Sequence, residues 1–157
     1  LMSTAHRVLD GSPYTDFTAN GRRIQRWRMF DDRETELMKA SHVNHPSGVW
    51  CRDNDSNYQW LYTMWKHLCE EYTHRYGKVH ACARLDWLLS LTPDNIRTAE
   101  FYPPTPAMPT ELKIVAKNPI PGRKYDSLKS YHNYYIQAKA SFAKWKNRNI
   151  PDWFVTT

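Results

Sequence analysis

His67, Glu71 and His74 lie in a stretch whose apolar residues recur at helical spacing, so their side chains leave neighbouring turns of one helix. Residues four apart share a face, which lets His67 meet Glu71 and Glu71 meet Arg75. A carboxylate held by a cation stays ionised and can serve as a base or an electrostatic stabiliser. His67, Glu71 and His74 are therefore the acid–base candidates of this chain. The alternative is a salt bridge that only braces the fold, because structural ion pairs perturb titration as well. Trp60, His67 and His74 are spaced seven apart opposite the apolar stripe, so this helix is either central to a bundle or has one face in a binding site.

A second chemistry is suggested by cations interleaved with aromatic rings. Arg22, Arg23, Arg26 and Arg28 surround Trp27; Arg52 follows Trp50; Arg75 and Lys78 flank Tyr76. Between positions 123 and 148 there are seven Lys or Arg, among them Lys139, Lys144 and Lys146, and one acid. The 157 residues carry a formal net charge of +6 and seven Trp. Cations neutralise phosphates and aromatic faces stack bases, which makes Trp27, Trp50 and Trp60 stacking candidates and DNA the expected partner. A solvated basic face would show the same charge balance.

Other chemistries lose support. His42 and His45, or His74, His80 and Cys82, do not make a zinc spacing with four plausible ligands, so no metal and no cofactor is expected. Serine-hydrolase, P-loop, zincin and dinucleotide signatures are missing from the sequence. Three cysteines, an odd number without a CxxC pair, fit a reducing cytoplasm. No apolar run approaches 18 residues, so neither a membrane span nor a signal peptide is expected.

The elements that must position these groups read as one all-α domain over 1–157. Residues 1–9 read as the last turns of a helix ending at Gly11, with no capping residue before Leu1, which predicts that a segment precedes it. A polar loop or short hairpin follows over 10–30. Asp31 or Asp32 caps a short helix over 33–40, and Pro46 sets a turn over 42–47. The central helix is predicted over 54–76, with Gly77 as its left-handed stop, and carries the stripe Tyr58, Leu61, Trp65, Leu68, Tyr72 and Tyr76. Further helices are predicted over 80–91 and 128–146. Between them, the Pro-rich segment 94–124 is too long for a plain connector and should wrap the surface.

The strings Thr4-Ala5-His6-Arg7-Val8-Leu9-Asp10-Gly11, His42-Val43-Asn44-His45-Pro46, Val49-Trp50-Cys51-Arg52, Asn57-Tyr58, Trp60-Leu61, Glu70-Glu71-Tyr72, His74-Arg75-Tyr76-Gly77-Lys78 and Tyr134-Tyr135-Ile136 resemble a family of phage proteins. That family is described as pyrimidine-dimer DNA glycosylases, distantly similar to phage endonuclease V. The resemblance covers nearly the whole chain. It implies an all-α fold that kinks DNA or flips a base, cuts the N-glycosidic bond through an imine made by an N-terminal amine, and works in the cytoplasm of a phage-infected host. The nucleophile and the assisting Glu of that chemistry lie upstream of the segment matching Leu1, so the resemblance assigns no catalytic residue here. Two functions stand side by side: a DNA-repair or DNA-modification glycosylase and AP lyase, or a non-catalytic phage protein that binds nucleic acid or a nucleotide.

Overall fold

The computed structural model describes residues 1–155 and is mixed α/β, with two antiparallel two-stranded sheets among the helices, so the all-α expectation is overturned. Helix α1 (Met2–Asp10) ends at Gly11, whose N–H returns to Arg7 O at 3.0 Å. A Cβ on Gly11 would stand 2.5 Å from that oxygen and 3.0 Å from Arg28 O, so only glycine lets the helix pass directly into a strand. Strand β1 (Ser12–Phe17) pairs with β2 (Arg23–Arg28), placing Ser12 opposite Arg28 and Phe17 opposite Arg23. Tyr14, Thr15, Phe17, Ile24 and Trp27 favour a pleated surface, and Gly21 at φ +77° closes the tip.

Helix α2 (Arg33–Glu36) stops at Leu37, short of the expected residue 40, because Leu37 and Ala40 sink into the core. Where a turn was expected, Pro46 opens helix α3 (Pro46–Cys51), and His45 Nδ1 accepts the Ser47 N–H at 3.2 Å. Helix α4 (Asp55–Tyr76) is the predicted central helix. The Asn54 side chain caps it at Asn57 N–H (2.9 Å), and Gly77 ends it at φ +66°. A 3₁₀ turn (Ala81–Leu85) and the short helix α5 (Asp86–Leu89) replace one continuous helix.

A second 3₁₀ turn (Thr110–Leu112) leads into the other sheet, β3 (Ile114–Ile120) against β4 (Arg123–Asp126). Helix α6 (Ser127–Tyr134), capped by Asp126, then relaxes into a π-helical turn (Tyr135–Lys139) and a 3₁₀ turn (Ala140–Phe142). The expected helix over 128–146 is thus less than half α-helical.

The core gathers Met2, Ala5, Leu37, Trp50, Cys51, Tyr58, Leu61, Leu85, Leu88 and Leu89. Only the first turns of α4 enter it; Leu68 and Tyr76, further along the predicted stripe, are exposed. The chain after Asp94 wraps the start of α4 through Arg97 O to Asp55 N–H (3.0 Å), Ala99 O to Ser56 Oγ (2.7 Å) and Tyr102 N–H to Asn57 Oδ1 (3.1 Å). Trp50 Nε1 closes the wrap by donating to Tyr102 O at 2.8 Å.

Arg7 joins the N-terminal half. Its buried guanidinium donates to Met38 O, Trp27 O, Glu34 Oε2, Glu34 O and Leu37 O at 2.7–3.1 Å. Five bonds use the full donor capacity of the fork. Lysine has three donors at one point and cannot span these acceptors. Arg7→Lys should therefore lower stability by about 3 kcal/mol, the cost of two or three buried carbonyls left unpaired. Urea unfolding measures the loss, and a change within error would show that the fork is dispensable.

Candidate nucleic-acid interface

The acid–base candidates do not converge on one pocket. His67 lies 3.3 Å from Glu70 Oε2, and both side chains stand in solvent. Glu71 accepts from Arg75 Nε at 2.6 Å and from Arg148 Nη2 at 2.8 Å and Nε at 3.0 Å. Hydrogen bonds from Arg148 and then Arg75 hold its pKa down at about 2, so the carboxylate is ionised and saturated. His74 Nε2 meets Asn147 O at 2.9 Å, and Arg75 Nη1 donates to Lys144 O at 2.9 Å. Glu71, His74 and Arg75 together pin the chain at 144–148 onto the end of α4.

That pinned segment roofs a hollow of about 570 Å³ lined by Trp65, Tyr72, Tyr76, Tyr135, Phe142 and Trp145. Such a volume falls within the roughly 300–1,000 Å³ of small-molecule sites. Lys144 lines it; Lys146 Nζ sits 5.0 Å above the Tyr76 ring, and Lys139 Nζ 5.1 Å from the Phe142 ring. None of the three lysines is in an ion pair among the described residues. The Trp145 indole N–H is buried and has no acceptor among the described residues. An unsatisfied buried donor costs free energy until something accepts from it.

The other predicted residues separate. Arg22 and Arg23 stand exposed at the β1–β2 tip, where Phe17 is 63% exposed and lies opposite Arg23. Arg28 stacks 5.0 Å over Tyr14, and Arg26 donates to Ala40 O at 3.0 Å. Trp27 is half-buried in β2, and Trp50 is buried in the core. Trp60 remains open, stacked on Phe101 at 5.8 Å between ring centres. Arg52 is half-buried at the end of α3, and Lys78 is exposed beyond α4. Phe17 and Phe101, which the sequence did not single out, are among the exposed rings; no local signal separates them from core phenylalanines.

Sequence reasoning also missed a charged network around His6. Its Nε2 meets the Tyr58 hydroxyl at 2.8 Å, and that hydroxyl donates to Leu89 O at 3.1 Å. Arg33 Nη1 lies 3.2 Å from His6 Nδ1 and 2.6 Å from Asp10 Oδ2, while Arg33 Nη2 reaches Asp31 at 2.7 Å and Asp94 at 3.4 Å. This chain of partners assigns the His6 proton to Nε2. Burial, and then the Arg33 charge, lower His6 to about 4. Burial alone would raise the Asp10 carboxyl, but the N–H groups of Asn95 and Asp94 and the Arg33 guanidinium outweigh it and hold it below its usual range.

Among the described residues no three His, Cys, Asp or Glu side chains are placed to hold a metal ion, and no helix is long and apolar enough to cross a membrane. Comparisons with protein-family models, curated proteins and solved structures find no match to the chain.

Two outcomes follow. Glu71→Gln should free the segment at 144–148 and make it a protease target while the melting temperature changes little; a large melting loss with an intact segment would contradict this anchoring role. For His6, the folded value lies below the unfolded one, so the unfolded chain takes up a proton first as pH falls. Its contribution is complete above about pH 6.5 and declines by about 3 kcal/mol down to pH 4. Denaturant unfolding at pH 7 and 4.5 checks this slope, which His6→Asn should flatten.

Proposed function

We propose that this protein binds DNA by taking an unstacked base into the hollow between α4 and the segment at 142–148. The observation that carries the reading is an aromatic hollow of about 570 Å³ lined by Lys144, with Lys139 and Lys146 against its rings Phe142 and Tyr76 and none of the three in an ion pair among the described residues. Rings clasp a base, and lysines neutralise the flanking phosphates. Flipping a base costs least where it is already mismatched or damaged. A duplex with one unpaired base should therefore bind more tightly than its matched counterpart. Lys144→Ser with Lys146→Ser should weaken both and reduce the salt slope by roughly two. Fluorescence anisotropy at two salt concentrations measures this, and equal binding of the two duplexes would overturn the base-seat reading.

The glycosylase and AP lyase activity implied by the motif resemblance is a second reading. It is favoured by one observation, the Lys139 amine beside Phe142 at the edge of the hollow. The acid in that hollow, Glu71, is saturated by two guanidiniums, so binding without chemistry is the better supported of the two. Borohydride treatment with an abasic duplex should yield no covalent adduct. An adduct that Lys139→Arg abolishes would install the lyase reading instead.

A further inference from the structure

The β3–β4 hairpin carries Lys113, Lys117, Arg123 and Lys124 in or beside its strands, and none is in an ion pair among the described residues. Elsewhere acids hold the cations: Lys66 pairs with Asp86, Arg84 with Glu36 and Arg97 with Asp53. The hairpin cations lean on rings instead. Arg123 lies 3.2 Å above Tyr102, and Lys113 and Lys124 lie 5.3 and 5.8 Å from the Tyr125 centre. Lys113, Arg123 and Lys124 border a groove of about 550 Å³ that Asp126 also lines, while Lys117 lies outside it.

This basic groove adjoins an apolar one. Pro103, Pro104, Ser127 and Leu128 belong to both walls. On the far side, also about 550 Å³, lie Trp60, Met64, Phe101 and Tyr131. Trp60 and Phe101 stack at an interplanar angle of 27° and are each about two-fifths exposed. A large exposed ring pair is unusual on a surface with no partner. Here it stands next to three groove cations, none of them in an ion pair among the described residues, while the groove's Asp126 is held by Lys129.

Alternating phosphate and base chemistry fits this alternation of cationic and aromatic surface. A duplex keeps its bases stacked inward and cannot present them to Trp60; an unpaired strand can. We propose that a single-stranded nucleic acid runs from the β3–β4 groove over the Pro103–Pro104 wall and stacks a base on the Trp60–Phe101 pair. The strand's charge matches the three groove cations, and its bases supply the flat apolar faces that the second groove takes. This tract deepens the nucleic-acid reading and uses residues apart from the lysines at 139–146.

The test uses a fluorescent twelve-nucleotide oligothymidylate and an oligouridylate of equal length. Binding of either should be salt-dependent. Lys113→Ser with Lys124→Ser should make the salt slope shallower by roughly 0.7 per cation removed. Trp60→Leu should lower affinity about tenfold with little change in slope. Both strands binding equally assigns the tract to bases and phosphates alone, while a preference for oligouridylate adds the ribose hydroxyl; each supports the proposal. Lys124 and Trp60 are exposed and Lys113 is half-buried, and circular dichroism and melting confirm folding of each variant. Oligothymidylate binding that survives all three substitutions overturns the tract. If that binding is instead lost with Lys144→Ser and Lys146→Ser, the hollow at α4 stands alone. No binding of any strand or duplex overturns both readings.

Discussion

The Arg7 guanidinium is the constraint from which the N-terminal half takes its shape. One buried cation gathers carbonyls from β2, from α2 and from the chain after it, and Glu34 answers it while also accepting the Met29 N–H at 2.8 Å. The acceptors come from three separate segments and must all arrive for any one bond to be made without strain. That shared requirement holds the β1–β2 hairpin against α1, although its strands bury little. The exposed arginines at the hairpin tip are thus carried on a ribbon whose base is fixed by a fully engaged arginine.

A second constraint works at the start of α4. Asn54 and Asn57 are buried polar residues, and each side chain is bonded: Asn54 Oδ1 to Asn57 N–H, Asn57 Nδ2 to Trp50 O, and Asn57 Oδ1 to Tyr102 N–H. Buried amides need such partners, and here the partners include the backbone of the Pro-rich segment. That segment lacks regular structure up to Pro109, so these bonds stand in for a ladder. They also place Phe101 against Trp60 and Pro103 beside Leu128, which creates the stacked pair and the wall shared by the two grooves.

Electrostatics divide along the same lines. Carboxylates are spent inside the framework: Asp10 on Arg33, Glu34 on Arg7, Asp53 on Arg97, Glu71 on Arg75 and Arg148. The cations left without acids lie mainly on the two hairpins and the C-terminal segment. A net charge of +6 is therefore not a uniform field but the residue of local pairing, and the unpaired part lies beside exposed rings.

Some of this was legible in the sequence because its causes are local. The Gly77 stop and the apolar spacing before it predict α4 to within a residue. Gly11 marks the end of α1 for the same reason. Basic residues among aromatics were visible too, since composition needs no fold. The first hairpin was read only as a loop or short hairpin and the second was not legible: both are short, polar and Pro- or Arg-rich, and lack the clean alternation of a half-buried strand. Helix 128–146 was overread, because aromatic spacing says where a face is apolar but not whether the backbone stays α-helical to meet it. Tertiary structure alone decided what the site candidates do. Glu71 and His74 share a helix face as predicted, but chain more than seventy positions away occupies them, and His6, Arg33 and Asp10 meet only because α1 and α2 pack together. Sequence spacing fixes contacts within one element, where geometry is periodic; contacts between elements depend on burial and on the pairing of distant polar groups.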